Sequence, residues 1–532
     1  MRVFSAGTTA LLLQVSSVLG ALYDSTIETQ YGSLQGYPAF SSDPGNNISD
    51  WQSISVWKNI PFAASTGGAN RWRPPQPAAS WSGVRDAKEY GDVCPSVLPV
   101  DPTAYNYTVS EDCLNLNIWS PANATDAKLP VVLWSTPAYS TARMPLFDGG
   151  GMASQGIVFV NYNRRDGAFG YLAHPEMTAE MTNEIGVNAS GNWAVLDQFA
   201  ALQWVYDNIE AFGGDPEQIT AAGQSAGSAA TYHMVNSPIV KGLIKRAIVE
   251  SGVRDPYDPL CSTLAENYIT MDVAYSVSEA YLESVNVSSV DELRDVSMET
   301  LVNLGGSFHV VLDHYAVPHK YIESLSVPAP NDVPFITGNT KDESGAAADT
   351  NVTVAEYYAS LVTQYGADFA ERFFELYPAN TTEQASQAYN AHYRDTSRVS
   401  SWLFAGKWNK VASAPFYTYL WDHAPPGQDQ GAYHMSEINY VLNNLYLTDS
   451  PWEAEDYAIA SKMNGYWANF VKTGDPNKGD SYRGSETLAN WQVATADRNV
   501  TQNVGDSWGE VPIASAAQIQ LIEDFFATQS PF

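Results

Sequence analysis

Short apolar runs alternate along the chain with longer stretches of helical periodicity. Six runs of four to six residues have the composition of buried strands: Pro130–Trp134, Ile157–Asn161, Ile219–Ala222, Ala247–Glu250, Pro334–Thr337 and Phe416–Trp421. Strands that alternate with helices are typical of a largely parallel sheet covered by helices. The pattern therefore predicts the α/β class.

One helix is predicted with particular clarity, over residues 194–212. Its apolar residues recur three or four positions apart, and Gly213 and Gly214 end the pattern. Two more polar regions, 261–321 and 352–400, also have helical character. We expect them to be helical insertions around the sheet, since no linker rich in proline, glycine or serine marks a second domain.

The first 20 residues have the features of a signal peptide. Arg2 supplies a positive charge, residues 8–19 form a short apolar segment, and small residues precede the expected cleavage after Gly20. No later run approaches the ~20 apolar residues of a membrane span. The sequence thus predicts one domain over residues 21–532, secreted in soluble form and without a membrane span.

Sequons for N-glycosylation are spread along the chain, as expected of a secreted protein. Their eight asparagines are Asn47, Asn106, Asn123, Asn188, Asn286, Asn351, Asn380 and Asn499.

The charge balance is strongly acidic, with 59 acidic against 27 basic residues and a net charge of −32. Such a chain repels phosphate, which excludes a nucleic-acid-binding role. Clusters with metal-ligand spacing and phosphate-binding glycine loops are both missing from the sequence, so we expect neither a metal nor a cofactor.

Among the three cysteines, Cys94 and Cys113 enclose a loop that a disulfide can close, which leaves Cys261 as the odd cysteine.

The strongest local motif is GQSAG, residues 223–227, between a predicted strand and a predicted helix. In that context a G-x-S-x-G sequence forms a sharp turn that exposes a nucleophilic serine, here Ser225. The N–H of Ala226 is then available to an oxyanion.

A serine nucleophile needs a base and an acid, and in this fold the acid precedes the histidine in the chain. We expect the strand at 334–337 to end in a turn at Gly338-Asn339, followed by two candidate acids, Asp342 and Glu343. Three histidines follow them, of which His423 and His434 come after the strand FYTYLW. Local pattern leaves both choices open.

Longer stretches decide between these candidates. ALQWVYDNIEAFGGDPEQITAAGQSAG and EDCLNLNIWSP resemble the carboxylesterase/lipase type-B family, which includes cholinesterases and fungal lipases. The resemblance covers roughly residues 25–510 and implies an α/β-hydrolase fold and the hydrolysis of carboxylic esters. We expect the Cys94–Cys113 loop and the aromatic insertions to shape an apolar gorge, which favours a small, hydrophobic ester. On the stretches KDESG and GAYHMSEINY, the resemblance implies Glu343 as the acid and His434 as the base. It also implies a disulfide between Cys94 and Cys113.

The chain departs from that family in one loop. Where relatives carry a glycine-rich oxyanion loop after the strand, this chain has STPAY, residues 135–139, and is about three residues shorter. Pro137 has no N–H, so we expect Ala138 and Tyr139 to join Ala226 as donors.

Three functions are compatible with these features. The first is a secreted serine esterase that works through an acyl-enzyme on Ser225. The second is a relative adapted to non-hydrolytic chemistry on a natural product, such as cyclisation, elimination or acyl transfer. The third is a non-catalytic binding protein, which the presence of all three triad residues argues against.

Overall fold

The computed structural model describes residues 20–45, 48–96, 107–261 and 267–532. The predicted signal peptide, apart from Gly20, lies outside the described residues, as do the sequon asparagines Asn47 and Asn106.

The described residues form sixteen strands. They are β1 Thr26–Thr29, β2 Gly32–Gln35, β3 Tyr37–Pro38, β4 Ser55–Pro61, β5 Val84–Asp86, β6 Asn115–Ser120, β7 Leu129–Ser135, β8 Val158–Tyr162, β9 Gly214–Gln224, β10 Arg246–Glu250, β11 Tyr268–Thr270, β12 Val310–Leu312, β13 Phe335–Thr340, β14 Phe416–Trp421, β15 Val500–Val504 and β16 Gly509–Pro512.

They also form fifteen α-helices. These are α1 Gly150–Ala153, α2 Gly167–Tyr171, α3 Pro175–Ile185, α4 Trp193–Asn208, α5 Ala226–Asn236, α6 Met271–Ser284, α7 Val290–Arg294, α8 Met298–Leu304, α9 Tyr321–Ser324, α10 Val354–Tyr365, α11 Ala367–Leu376, α12 Thr382–Trp408, α13 Ile438–Leu442, α14 Ala454–Thr473 and α15 Ala516–Phe526. None of the helices in the described part of the chain is both long enough and apolar enough to cross a bilayer.

Eleven of the strands form the central sheet, in the order β16-β15-β14-β13-β10-β9-β7-β8-β6-β4-β3. The seven strands from β15 to β8 run parallel, and the strands beyond them at both edges are antiparallel. The predicted α/β class with a mostly parallel sheet is confirmed. All six predicted strands lie in the parallel region, because only strands buried on both faces read as continuous apolar runs.

Helices cover the sheet on both faces. Side chains alternate along a strand, so Val131 and Leu133 of β7 pack with α4, α5 and α12, whereas Val132 and Trp134 pack with α13 and α14. Helix α4 ends at Asn208 and continues as a 3-10 turn to Phe212, and Gly213 closes it with a positive φ of 79°.

The two insertions are helical, as expected, with one addition. Helices α6–α8 and α10–α12 occupy them, but β11 and β12 also form a small parallel ladder within the first insertion. Three-residue strands are too short to give a periodic signal, which is why sequence reasoning missed this ladder.

The predicted turn at Gly338-Asn339 is wrong. Strand β13 continues to Thr340 because β10 pairs with it as far as Gly338 and β14 pairs with it as far as Thr340. Position 338 has no room for a side chain, because the Tyr419 ring lies 2.4 Å from where a Cβ on Gly338 would be. The chain therefore leaves the sheet three residues later than expected, one residue before the two candidate acids.

Candidate active site

Ser225 occupies a strained turn between β9 and α5. Its φ of 56° and ψ of −123° are unusual for a residue with a side chain. Its N–H donates to the carbonyl oxygen of Glu250 at 2.9 Å, which ties the turn to the neighbouring strand β10. The turn leaves Ser225 half-buried at the carboxyl end of the parallel sheet.

Glycines on either side of Ser225 allow this packing. A Cβ on Gly227 would lie 1.9 Å from the carbonyl oxygen of Ser135, and one on Gly223 would lie 2.4 Å from the carbonyl oxygen of Gly227. Both distances are far below any real Cβ contact. The two glycines thus let β7, β9 and α5 approach one another closely around the serine.

Glu343 and His434 meet beside this turn. Glu343 follows β13 and His434 follows β14, and the Nδ1 of His434 lies 2.6 Å from the Oε2 of Glu343. The other carboxylate oxygen of Glu343 accepts the Thr340 N–H at 3.1 Å. Glu343 is buried, whereas His434 is half-buried. With its Nδ1–H donating to the carboxylate, His434 keeps the lone pair of Nε2 for accepting a proton.

The two groups shift each other's pKa. Burial alone would raise the pKa of Glu343, but the hydrogen bond and charge of His434, with the nearby Arg254 guanidinium, hold it below the ordinary value. Burial alone would lower the pKa of His434, yet the hydrogen bond and charge of Glu343 raise it. The acid therefore stays ionised and stabilises an imidazolium.

The Ser225 hydroxyl and the His434 imidazole are not hydrogen-bonded to each other. Among the described residues no hydrogen bond joins Ser225 to His434, and the Nε2 of Gln224 instead lies 3.4 Å from both ring nitrogens. Catalytic hydrogen bonds are often long before substrate binds. Proton transfer therefore requires the Ser225 and His434 side chains to come within hydrogen-bond distance of each other.

The other acid and histidine candidates have different partners. Asp342 pairs with Arg394 and accepts the N–H of Ala432 at 2.9 Å, which holds the loop that leads to His434. His423 lies between Asp506 and Asp456, with its ring nitrogens 2.6 Å and 3.0 Å from their carboxylate oxygens. Each stabilises the fold near the site.

The predicted oxyanion donors lie on two segments. Ala226 begins α5, and Ala138 and Tyr139 form a turn after β7 in which Tyr139 has a φ of 56° and is exposed. Within the described residues, none of these three N–H groups has an acceptor. The loop approaches the serine turn through its carbonyls, because the Thr136 oxygen lies 2.8 Å from where a Gly227 Cβ would be.

Two buried carboxyl groups lie behind the triad, and sequence reasoning missed both. Glu250 and Glu437 are fully buried, and both carboxyl oxygens of Glu437 lack a partner among the described residues. Glu250 accepts one hydrogen bond, from the Trp467 indole at 2.7 Å. Burial raises the pKa of both groups, and their mutual repulsion adds to this for Glu437. Neither residue carries a local sequence signal for this role, because burial without a partner arises from tertiary packing.

Two further features bear on the sequence predictions. Cys94 and Cys113 form a disulfide, and Cys261 is buried. No group of histidine, cysteine and acidic side chains suited to a metal ion occurs in the part of the chain that the structure describes.

Comparison with known proteins identifies the family of this chain. A sequence model of the carboxylesterase family matches residues 23–507. The chain belongs to the carboxylesterase family. As a member of that family with esterases among its relatives, it is a carboxylic-ester hydrolase.

Several carboxylesterase relatives are about 30% identical. Fumonisin B1 esterase of Sphingopyxis macrogoltabida is 30% identical over 446 residues, which is 80% of each chain. Carboxylesterase 5A of Canis lupus familiaris is 32% identical over 467 residues, covering 80% of this chain and 78% of the relative. A solved PNB esterase structure superposes with a TM-score of 0.72 at 27% identity, covering 93% of this chain and 99% of the other. The α/β-hydrolase fold is thereby confirmed.

Proposed function

We propose that this carboxylesterase cleaves its substrate through a covalent acyl-enzyme on Ser225. The observation that carries the proposal is the strained serine turn at the end of β9 beside a carboxylate–imidazole pair 2.6 Å apart. A serine hydroxyl is a weak nucleophile by itself, and this arrangement supplies the base that activates it.

In the proposed reaction, the Ser225 hydroxyl oxygen attacks the ester carbonyl carbon while the Nε2 of His434 takes the hydroxyl proton. The tetrahedral intermediate collapses when the same imidazolium returns that proton to the departing alkoxide. A water molecule then repeats the sequence on the acyl-enzyme and frees the acid. Glu343 orients the ring throughout and offsets its positive charge.

Oxyanion stabilisation is assigned to the Ala226 N–H and to the N–H groups of Ala138 and Tyr139. Each such donor is worth about 3 kcal/mol in related chemistry, or roughly 10²–10³ in rate. The three groups have no acceptor within the described residues, which leaves them available to substrate. The proposed oxyanion hole thus uses three donors, none of which is a glycine.

The test is hydrolysis of 4-nitrophenyl acetate, butyrate and octanoate by the wild type and by Ser225→Ala. A matched control is Ser276→Ala, since Ser276 is exposed on α6 far along the chain from the triad. We expect turnover in the wild type and the control and none in Ser225→Ala. An organophosphate should label the wild type, and peptide mass spectrometry should place the label on Ser225.

Two results would contradict the proposal. Turnover that persists in Ser225→Ala would rule out an acyl-enzyme on Ser225. No turnover in a well-folded wild type would show that the altered loop does not support hydrolysis, and would favour the non-hydrolytic alternative.

We also propose that the protein is secreted and glycosylated. The six sequon asparagines within the described residues, from Asn123 to Asn499, are all exposed. Expression in a secreting yeast should release the protein into the medium, starting at residue 21. Treatment with an endoglycosidase should lower its mass, and an unchanged mass would contradict the glycosylation.

A further inference from the structure

Arg164 faces a polar cavity beside the altered loop. It lies two residues after the end of β8, and the cavity is lined in part by Thr136, Ser140 and Thr141. The Nη1 of Arg164 donates to the carbonyl oxygen of Thr136 at 3.1 Å and lies 3.3 Å from its hydroxyl. The guanidinium is therefore held at the mouth of the loop that follows β7.

The charge of Arg164 is not matched by an ion pair. No carboxylate oxygen lies within 4.0 Å of its guanidinium in the part of the chain that the structure describes, and its Nε is buried without a partner. The next residue, Arg165, is satisfied by Asp197 at 2.7 Å and 2.8 Å. A half-buried guanidinium without an ion pair is notable in a chain with 59 acidic and 27 basic residues.

Other ionisable groups near Arg164 do not replace such a partner. Asp166 lines the same cavity, and its charge helps to raise the pKa of Arg164, but it forms no ion pair with the guanidinium within 4.0 Å. One of its oxygens accepts the Gly167 N–H at 2.8 Å at the start of α2. Burial raises the pKa of the Tyr162 and Tyr171 hydroxyls to about 12, so both are neutral near pH 7. The hydroxyls of Ser140 and Thr141 already donate to the Pro137 carbonyl and the Asn163 side chain, at 2.7 Å and 2.9 Å. The cavity therefore offers a ligand the Arg164 guanidinium and the Thr136 hydroxyl.

The cavity lies close to the nucleophile. Strands β8, β7 and β9 are parallel neighbours, so the residues that follow them meet at one edge of the sheet. Neighbouring strands are ~4.8 Å apart, which puts the residues after β8 about 10 Å from Ser225 at the end of β9. One substrate molecule can span that distance from its scissile ester.

We propose that Arg164 binds a carboxylate carried by the substrate ester, so that this enzyme prefers esters with a free acid group. A guanidinium suits this role because its planar donors match a carboxylate in pairs. The inference rests on the proposed ester hydrolysis at Ser225. It adds a specificity-determining contact on the side of the shortened loop.

The test compares esters that differ only in charge. Mono-4-nitrophenyl adipate and 4-nitrophenyl hexanoate differ by a carboxylate on the acyl side, and 4-carboxyphenyl acetate and phenyl acetate differ by one on the alcohol side. In Arg164→Gln, the ratio of kcat/KM for the charged over the neutral ester should fall about tenfold or more in one pair, as expected for losing a charged hydrogen bond. The pair that responds identifies which side of the ester carries the carboxylate.

Two variants distinguish recognition of the substrate carboxylate by Arg164 from a purely structural role of Arg164 in the loop after β7. Arg164→Lys keeps the charge and should restore part of the preference. Arg372→Gln removes a charge from an exposed pair with Asp524 and should keep the wild-type ratios. If Arg164 only holds the Thr136 carbonyl, Arg164→Gln lowers kcat/KM equally for charged and neutral esters. Unchanged ratios in both pairs would overturn the proposal.

A binding measurement keeps this proposal distinct from the catalytic one. Isothermal titration calorimetry with adipate on Ser225→Ala requires no turnover. We expect binding that is at least about tenfold weaker when Arg164→Gln is added. If the wild type hydrolyses none of the four esters, the acyl-enzyme proposal fails, and calorimetry still decides the Arg164 site. Equal adipate affinity in the two variants, or no binding to either, would overturn it.

Discussion

Gly227→Ala tests the close packing behind the nucleophile. Gly227 is the second residue of α5, and an alanine in a helix is normally better than glycine by about 1 kcal/mol. Here the new Cβ would lie 1.9 Å from the Ser135 carbonyl oxygen, so the atoms must separate by about 1.1 Å to reach the 3.0 Å limit of real contacts. The strand β7 or the start of α5 has to move.

Both outcomes of that movement can be measured. Overpacking of this kind costs about 1–3 kcal/mol in the free energy of unfolding. A displacement of about 1 Å at a catalytic group costs roughly 10² in rate, because it separates the Ala226 N–H from the loop after β7. We therefore expect kcat/KM on 4-nitrophenyl acetate to fall about 100-fold, with a lower denaturation midpoint.

The matched control is Gly406→Ala. Gly406 lies in helix α12, where the nearest atom to a new Cβ is 3.6 Å away. This variant should keep wild-type activity and gain up to about 1 kcal/mol of stability. Wild-type kcat/KM in Gly227→Ala would refute the reasoning, since it would mean that the serine turn does not depend on the approach of β7.

Three further predictions follow from other contacts. Glu343→Gln should lower kcat by about 10³–10⁴ and move the acidic limb of the kcat/KM profile to lower pH, because the carboxylate that raises the pKa of His434 is gone. Cys113→Ser, which opens the disulfide across a separation of 19 residues, should cost about 3 kcal/mol in denaturant unfolding. His423→Gln should cost more stability at about pH 5.5 than at about pH 8.5. Burial lowers the pKa of His423, but the hydrogen bonds and charges of its two aspartate partners raise it overall. Because the pKa of His423 is raised in the native state, protonation of this imidazole stabilises the folded protein fully below the unfolded-state pKa of about 6.5. That stabilisation is lost as the pH rises through the native pKa.

Each of these predictions has a contradicting result. If the acidic limb of the kcat/KM profile does not move in Glu343→Gln, the Glu343 carboxylate does not raise the pKa of His434. Equal stability of the wild type and Cys113→Ser, without reductant, would mean that the disulfide does not constrain the unfolded chain. A cost of His423→Gln that is the same at both pH values would show that the imidazole is not charged in the native protein.

The parallel strands and the serine turn could be predicted because their signals are local. A strand buried on both faces is a continuous apolar run, and GQSAG between a strand and a helix needs no distant partner to be recognised. The antiparallel edge strands β3, β4 and β16 carry no such run. Their pairing depends on neighbours that come from distant parts of the chain.

The local sequence pattern limits the choice of the catalytic acid only to two neighbouring residues. Asp342 and Glu343 are adjacent, and which of them contacts the histidine depends on their partners across the fold. Asp342 is taken by Arg394 and the Ala432 N–H, whereas Glu343 reaches His434. Arg164 and the buried carboxyl groups could not be predicted, because burial and the lack of an ion-pair partner arise only from tertiary packing.

The buried pair Glu250 and Glu437 links folding of this protein to proton uptake. Burial raises the pKa of both groups in the native state, while in the unfolded chain they titrate near the ordinary glutamate value of about 4.3. Their contribution to stability is therefore fully present below that value and is lost as the pH rises through the native pKa. Near neutral pH, each molecule that folds draws protons from the surrounding buffer. The apparent heat of unfolding will then depend on the ionisation enthalpy of the buffer, and differ between phosphate and Tris at the same pH.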